Sequence, residues 1–257
     1  FDGLIQATAL LALHPSLPVH TSVYLLPLRH PVVVARQIST LSTVAPGRLV
    51  LGVGIGGEDP HEVSSCGVEP KTRGRRMNEC MQIVQDLQTG RPVTFRGEFF
   101  DLEDVLVLPT PSPRVPVVVG GRSDAAVRRA GRFGDGWLGI WVSPQRFAGA
   151  TRLAEDEAAA AGREVSAWQH GMSVWCGFGG GASAGEAAVA PVMEALYGLP
   201  FARFERYVAR GTPEQVAEFL SAYVEVGCST FNLLAHGEGR EQVAEAAGEV
   251  RRLLNAG

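Results

Sequence analysis

The residues in this chain whose type and spacing can do chemistry are mostly glycines at the ends of apolar runs. Gly52-Val53-Gly54-Ile55-Gly56-Gly57 matches GxGxxG at Gly52, Gly54 and Gly57. In a dinucleotide-binding half, that pattern opens a helix whose N-terminus holds a pyrophosphate. The residues that follow here, Glu58-Asp59-Pro60-His61, neither start a helix cleanly nor welcome a phosphate. Two other readings stand beside it: the glycines let a strand end turn sharply, or the backbone comes close to a flat ligand. Val117-Val118-Val119-Gly120-Gly121-Arg122-Ser123-Asp124 is a second such segment, an apolar run that ends in glycines and enters a helix. Ser123 or Asp124 can cap that helix. Free amides and the positive helix end make an anion site, to which Gly120 and Gly121 give access. Arg122 either adds charge there or is solvated. The plain alternative is an ordinary strand, turn and helix with a good cap.

Other polar groups give less. His30, in Pro27-Leu28-Arg29-His30-Pro31, is a candidate acid or base, or a residue that fixes its loop by hydrogen bonding. His61 follows the glycine run and can touch a ligand there. Arg73-Gly74-Arg75-Arg76 with Glu79 is either a surface cluster of ion pairs at helical spacing or an arginine folded back toward a phosphate. Gly134 reads as a helix C-cap and Trp137 as core. No HExxH, CxxC or GxSxG pattern occurs, so neither a metal site nor a serine nucleophile is expected.

These residues need strands to carry them. Short β-branched runs at 19–26, 48–54, 117–119, 137–142, 172–178 and 230–234 alternate with helical stretches at 31–41, 72–87, 124–133, 144–161, 185–196, 201–209, 213–226 and 241–254. A small hairpin turned at Arg96-Gly97 is expected within 93–102, and the prolines 109, 111, 113 and 116 mark an extended connector. Continuous apolar strands that alternate with helices mean a parallel sheet covered on both faces. Residues 1–4 read as the tail of a further strand, with a break before a helix at 7–13. The pattern falls short of an eight-stranded barrel by roughly one and a half βα units.

The 257 residues are 46% hydrophobic, enough for a sizeable core in one α/β barrel. Net charge is −4 and the pI about 5.9. No Lys/Arg run stands out, which argues against a nucleic-acid partner. A mildly acidic surface gives no attraction to an anionic membrane, and no apolar run approaches the roughly 18 residues of a membrane span. Cys66, Cys80, Cys176 and Cys228 are widely spaced and read as reduced thiols of a cytoplasmic protein.

Several segments together resemble the luciferase-like monooxygenase family: Pro27 to Pro31 with Ala35-Arg36-Gln37; Pro46-Gly47-Arg48-Leu49 running to Gly54; Gly67-Val68; Arg73 to Arg76 with Glu79; Gly97 with Phe99-Phe100; Val119 to Ser123; Ala130-Gly131-Arg132; and Asp135-Gly136-Trp137. Their order and spacing carry the resemblance, which covers nearly the whole chain. It implies a TIM (β/α)8 barrel over residues 1–257, with a hairpin insertion near 93–103 and a helical insertion near 184–210. The N-terminal strands would be truncated or lie outside the chain as given, which starts at Phe1. It also implies FMN or the deazaflavin F420 at the C-terminal ends of the strands. Ser22 and Val23 would then lie under the ring at a strained strand position, and Gly54 and the loop to His61 would border the ring. Gly120, Gly121 and Ser123, with Arg122 beside them, would bind the phosphate, and Trp141 would flank the cofactor tail. No catalytic acid or base carries over.

The implied function is hydride transfer between that cofactor and a small organic substrate, or monooxygenation when the cofactor is FMN. A homodimer is also implied, with helices 31–41 and 72–87 as candidate interfaces, and a reductase partner for an FMN enzyme. The alternatives are an NAD(P)-binding Rossmann dehydrogenase, with Glu69 or Glu79 near the ribose-binding distance, and a non-catalytic flavin-binding barrel.

Overall fold

The structure is a computed structural model that describes residues 2–56 and 60–256. The chain forms two compact units, Phe1–Trp137 with Leu153–Trp168, and Leu138–Arg152 with Gln169–Gly257.

The first unit opens with a helix, α1 (Gly3–Leu13), where a strand tail and a break were expected. The Asp2 carboxylate accepts hydrogen bonds from the amides of Leu4 and Ile5, and this cap outweighs the weak strand signal of its neighbours. Arg48 closes the other end of α1 by donating to the carbonyls of Leu11, His14 and Leu17. The strand expected at 19–26 is split into β1 (Val19–His20) and β2 (Tyr24–Leu25). Pro31 starts α2 (Pro31–Val44), which buries Val34, Ala35, Ile38 and Leu41. The next strand, β3 (Leu49–Gly54), pairs parallel with both β1 and β2.

The register explains the split. His20 stands opposite Val50 and Tyr24 opposite Val53, so Thr21, Ser22 and Val23 face only Leu51 and Gly52. This is a β-bulge, which re-aims the side chains after it. The Ser22–Val23 peptide bond inside it is cis.

A short helix, α3 (Pro60–Ser65), begins where the sequence argued against one, because proline suits a first helical position. Met77, Cys80, Met81, Ile83, Val84 and Leu87 form the buried face of α4 (Arg73–Leu87). The hairpin strands β4 (Val93–Arg96) and β5 (Asp101–Val105) pair antiparallel. Glu79 of α4 holds the hairpin tip by accepting from the amides of Glu98 and Phe99. A Cβ at Gly97 would crowd that carboxylate and the Phe95 ring, so a larger residue there must displace one of them.

The strand β6 (Val117–Gly120) pairs with β3 and leads into α5 (Asp124–Phe133). Buried Asp135 ties the start of β6, accepting from the Val117 amide at 2.7 Å while pairing with Arg114. It lies just before β7 (Gly136–Ile140). α6 (Pro144–Ala160) follows.

In the second unit, Leu138–Ile140 of β7 pair parallel with β8 (Gly171–Phe178), every residue of which is buried. α7 (Ala182–Tyr197) follows. The helix expected at 201–209 is instead a pair of 3-10 turns, Phe201–Arg203 and Glu205–Tyr207, leading to a short strand, β9 (Ala209–Gly211). β9 pairs with β8. After α8 (Pro213–Val224), closed by a Thr212/Gln215 capping box, comes β10 (Thr230–His236). It pairs with β8 and is half-buried over most of its length. The chain ends in α9 (Arg240–Ala256). The core of this unit gathers Trp175, Val189, Met193, Phe201, Phe204 and Val208.

Candidate functional site

The strand ends of the first unit bring Val23, Gly54 and Gly120 into contact. A Cβ built on Gly54 would lie 2.6 Å from Val23 Cγ2, and one on Gly120 would lie 2.6 Å from Val23 Cγ1. Both Val23 methyls therefore occupy space that side chains on β3 and β6 would otherwise fill. Val23 itself remains 36% exposed. One tier earlier on the same face of β3, a Cβ on Gly52 would meet the Thr21 carbonyl at 1.8 Å and His20 Nε2 at 2.8 Å. The Thr21 hydroxyl donates to the Gly52 carbonyl at 2.8 Å.

These contacts show what stands against Gly52 and Gly54 of the glycine run. Gly52 and Gly54 admit neighbouring side chains and backbone, and Gly57 lies outside the described residues. The dinucleotide reading is not favoured. Val23 fills the space on the Cβ side of Gly54. His20 is a residue the sequence reading did not single out; its Nε2 is buried with no hydrogen-bond partner among the described residues, and burial pushes its pKa down. Only the register around the bulge puts it over Gly52.

The β6-to-α5 turn combines a glycine at positive φ with a side-chain-capped helix start. Gly121 adopts φ +134°, a region that favours glycine. The Ser123 hydroxyl caps α5 by accepting from the Ala126 amide at 3.3 Å, and the amides of the first turn lie at the exposed helix start. Arg122 is exposed. Trp137, read from the sequence as core, is fully buried, yet its Nε1–H donates to the Gly121 carbonyl at 2.7 Å. It holds the turn from beneath; its place just after Gly134-Asp135-Gly136 was the available signal.

The other candidates make contacts of their own. His61 is exposed on α3, where Ser65 Oγ lies 3.4 Å from its Nε2. Ser22 is exposed within the bulge. His30 precedes α2 without a side-chain cap, its ring edge-on to Phe100 at 5.3 Å. The arginines at the start of α4 hold structure: Arg75 pairs with Glu98 at 2.9 Å, and Arg76 donates to the Pro27 carbonyl and lies 4.4 Å over the Phe100 ring. Trp141 belongs to the second unit. It has φ +53°, uncommon for a bulky residue, and packs against Tyr197 and Phe204 at 4.7 and 4.8 Å. Among the described residues there is no cluster of His, Cys, Asp and Glu suited to a metal ion, and no helix is long and apolar enough to cross a membrane.

Comparison with known proteins matches this architecture to a fold and a family. A solved F420-dependent secondary alcohol dehydrogenase, in complex with an F420-acetone adduct, superposes with a TM-score of 0.85 at 21% identity. The match covers 98% of this chain and 83% of that one. The fold is thus of the luciferase-like TIM-barrel class. The description of the luciferase-like monooxygenase family matches residues 1–205, and the chain belongs to that family. An F420-dependent glucose-6-phosphate dehydrogenase of Nakamurella multipartita is 39% identical over 111 residues, 42% of this chain and 32% of that enzyme. Pyrimidine monooxygenase RutA of Allorhizobium ampelinum is 35% identical over 147 residues, 54% of this chain and 40% of its own. The chain covers less than half the length of either relative.

Proposed function

We propose that this chain is the cofactor-binding part of an oxidoreductase that transfers hydride between F420 or FMN and a small organic substrate. The observation that carries the reading is the joining, at the ends of β3 and β6, of a Val23 platform to a Ser123-capped, glycine-ended turn. A phosphate-bearing ring cofactor needs both parts, a flat support and an anion-binding helix start. The cradle fits: Gly121 leaves the approach to the helix open, and Trp137 fixes its carbonyl away from the anion side. A relative named as an F420-dependent dehydrogenase supports F420, and one named as a monooxygenase supports the oxygenating reading.

When bound, such a cofactor supplies the hydride-transferring ring. The chain's own residues do the rest. Ser123 and the first amides of α5 hold the phosphate, with Gly120 and Gly121 giving access and Arg122 adding charge. Val23 and the Ser22–Val23 backbone support the ring, next to Gly54. His61, in the segment after Gly54, borders the site. Binding fixes the ring's orientation before substrate arrives, which lowers the entropic part of the barrier. With FMN the reaction is monooxygenation, served by a separate reductase.

The protein works in the cytoplasm, where Cys66, Cys80, Cys176 and Cys228 stay as free thiols. It is a homodimer, a reading supported by exposed apolar side chains on α1 and α2, including Ile5, Leu13, Val33 and Val44. The test is titration with F420, FMN and NADPH, followed by turnover with reducible enones, imines and alcohols. Saturable F420 or FMN binding with hydride transfer supports the proposal. Binding of NADPH alone would assign a nicotinamide cofactor to the barrel and overturn the proposal, and absence of all binding favours a non-catalytic barrel.

A further inference from the structure

We infer that Gly54 and Gly120 are a paired seat for Val23, so that the volume at these three positions sets how closely the cofactor ring settles. The inference rests on the proposed function and deepens it. Regular alternation would send side chains three residues apart to opposite faces of a strand. The bulge adds one residue between His20 and Tyr24, and Val23 comes to share a face with His20. That face of β3 carries Gly52 and Gly54. Val23 drops onto it and reaches across to β6, where Gly120 admits its second methyl. The two glycines sit on neighbouring strands, and a Cβ built on each would lie 2.6 Å from a different methyl of one side chain. Such a seat leaves no slack: a methyl group added at either glycine must lift Val23 toward the mouth of the strands. Gly54 and Gly120 therefore act through Val23, as positioning residues.

Gly120→Ala, Val23→Ala, their double variant and Val23→Ile test this by titration with F420 and FMN, with the visible spectrum of the bound ring recorded. Overpacking by one methyl in Gly120→Ala is expected to weaken cofactor binding about tenfold and to shift that spectrum. Removing the opposing methyls in the double variant is expected to restore binding to within about threefold of the parent. Val23→Ile, one methylene larger against the same glycines, keeps the fold and is expected to weaken binding several-fold. The seat is overturned if the double variant binds no better than Gly120→Ala. It is overturned as well if Val23→Ile binds like the parent, whether or not Gly120→Ala folds. Failure of the unmodified protein to bind either cofactor overturns the functional reading itself, an outcome distinct from loss of rescue in a protein that binds.

Discussion

Two strand-to-helix turns in this molecule look alike in sequence and differ in construction. In the first unit, β6 ends in Gly120-Gly121 and enters α5. In the second, β8 ends before Gly179-Gly180-Gly181, which lead into α7. At the first turn each glycine answers a constraint: Gly120 receives a Val23 methyl, and Gly121 holds φ +134° with its carbonyl bound by Trp137. A serine caps the helix. At the second turn Gly179 abuts Ala184, but Cβ atoms at Gly180 and Gly181 would meet nothing within 4 Å. The helix there starts from Gly181 without a side-chain cap. Glycine content alone does not make a ligand turn. The first is braced from beneath and its helix start is capped; the second enters its helix without a side-chain cap.

The largest expected effect comes from loosening the strand that carries the first turn. Asp135→Ala removes the acceptor of the Val117 amide and the partner of Arg114. Leaving the buried Val117 amide without its acceptor, beside a half-exposed arginine, is expected to cost up to about 3 kcal/mol in denaturant unfolding and to abolish cofactor binding. Loss of binding without loss of stability would show that Asp135 acts in some other way.

Acid should discriminate between the two regions. Burial pushes the His170 imidazole, one residue before β8, down to about 4. Its folded pKa lies below the unfolded value of about 6.5, so the unfolded chain binds more protons in that interval. Stability from this group is full above pH 6.5, is lost as pH falls toward about 4, and changes no further below it, a total of up to about 3 kcal/mol. Hydrogen exchange across this range should rise along β8 and its turn earlier than along β6. A His170→Asn variant should flatten the profile; an unchanged profile would contradict the assignment.

Substitutions within the turns make a finer contrast. Gly121→Ala, forced into a positive φ, is expected to lose about 1–2 kcal/mol, whereas Gly180→Ala should stay within about 0.5 kcal/mol of the parent by thermal unfolding. Ser123→Ala should cost about 1 kcal/mol and weaken phosphate-bearing ligands. The smallest effect is a gain: Gly181→Ser supplies the missing cap to α7 and should add a few tenths of a kcal/mol. Equal losses at Gly121 and Gly180 would erase the distinction drawn between the turns.

Much of this was legible in sequence. The valine run ending in Gly-Gly-Arg-Ser marked the first turn because cap chemistry and strand chemistry are both local. The strand–helix alternation marked the fold class for the same reason. The bulge was invisible: Val19 to Leu26 reads as one β-branched strand, and an extra residue emerges only when β3 pairs with it on both sides. Gly52 and Gly54 match a dinucleotide pattern that the residues after them argue against, and their neighbours, His20, Thr21 and Val23, come from that bulged segment. β9 was hidden by its three-residue length, and α1 by a cap one residue from the start. What the sequence could not give was contact between segments distant along the chain.

The central claim is that one capped turn and one seated valine hold a phosphate-bearing ring. The most direct measurement compares FMN with riboflavin, which has the same ring without the phosphate, alongside F420, in calorimetric titrations of the parent and Ser123→Ala proteins. The account predicts that FMN or F420 binds saturably, that riboflavin binds at least about tenfold more weakly than FMN, and that Ser123→Ala narrows this gap. Equal binding of FMN and riboflavin, or a gap unchanged by Ser123→Ala, would contradict it.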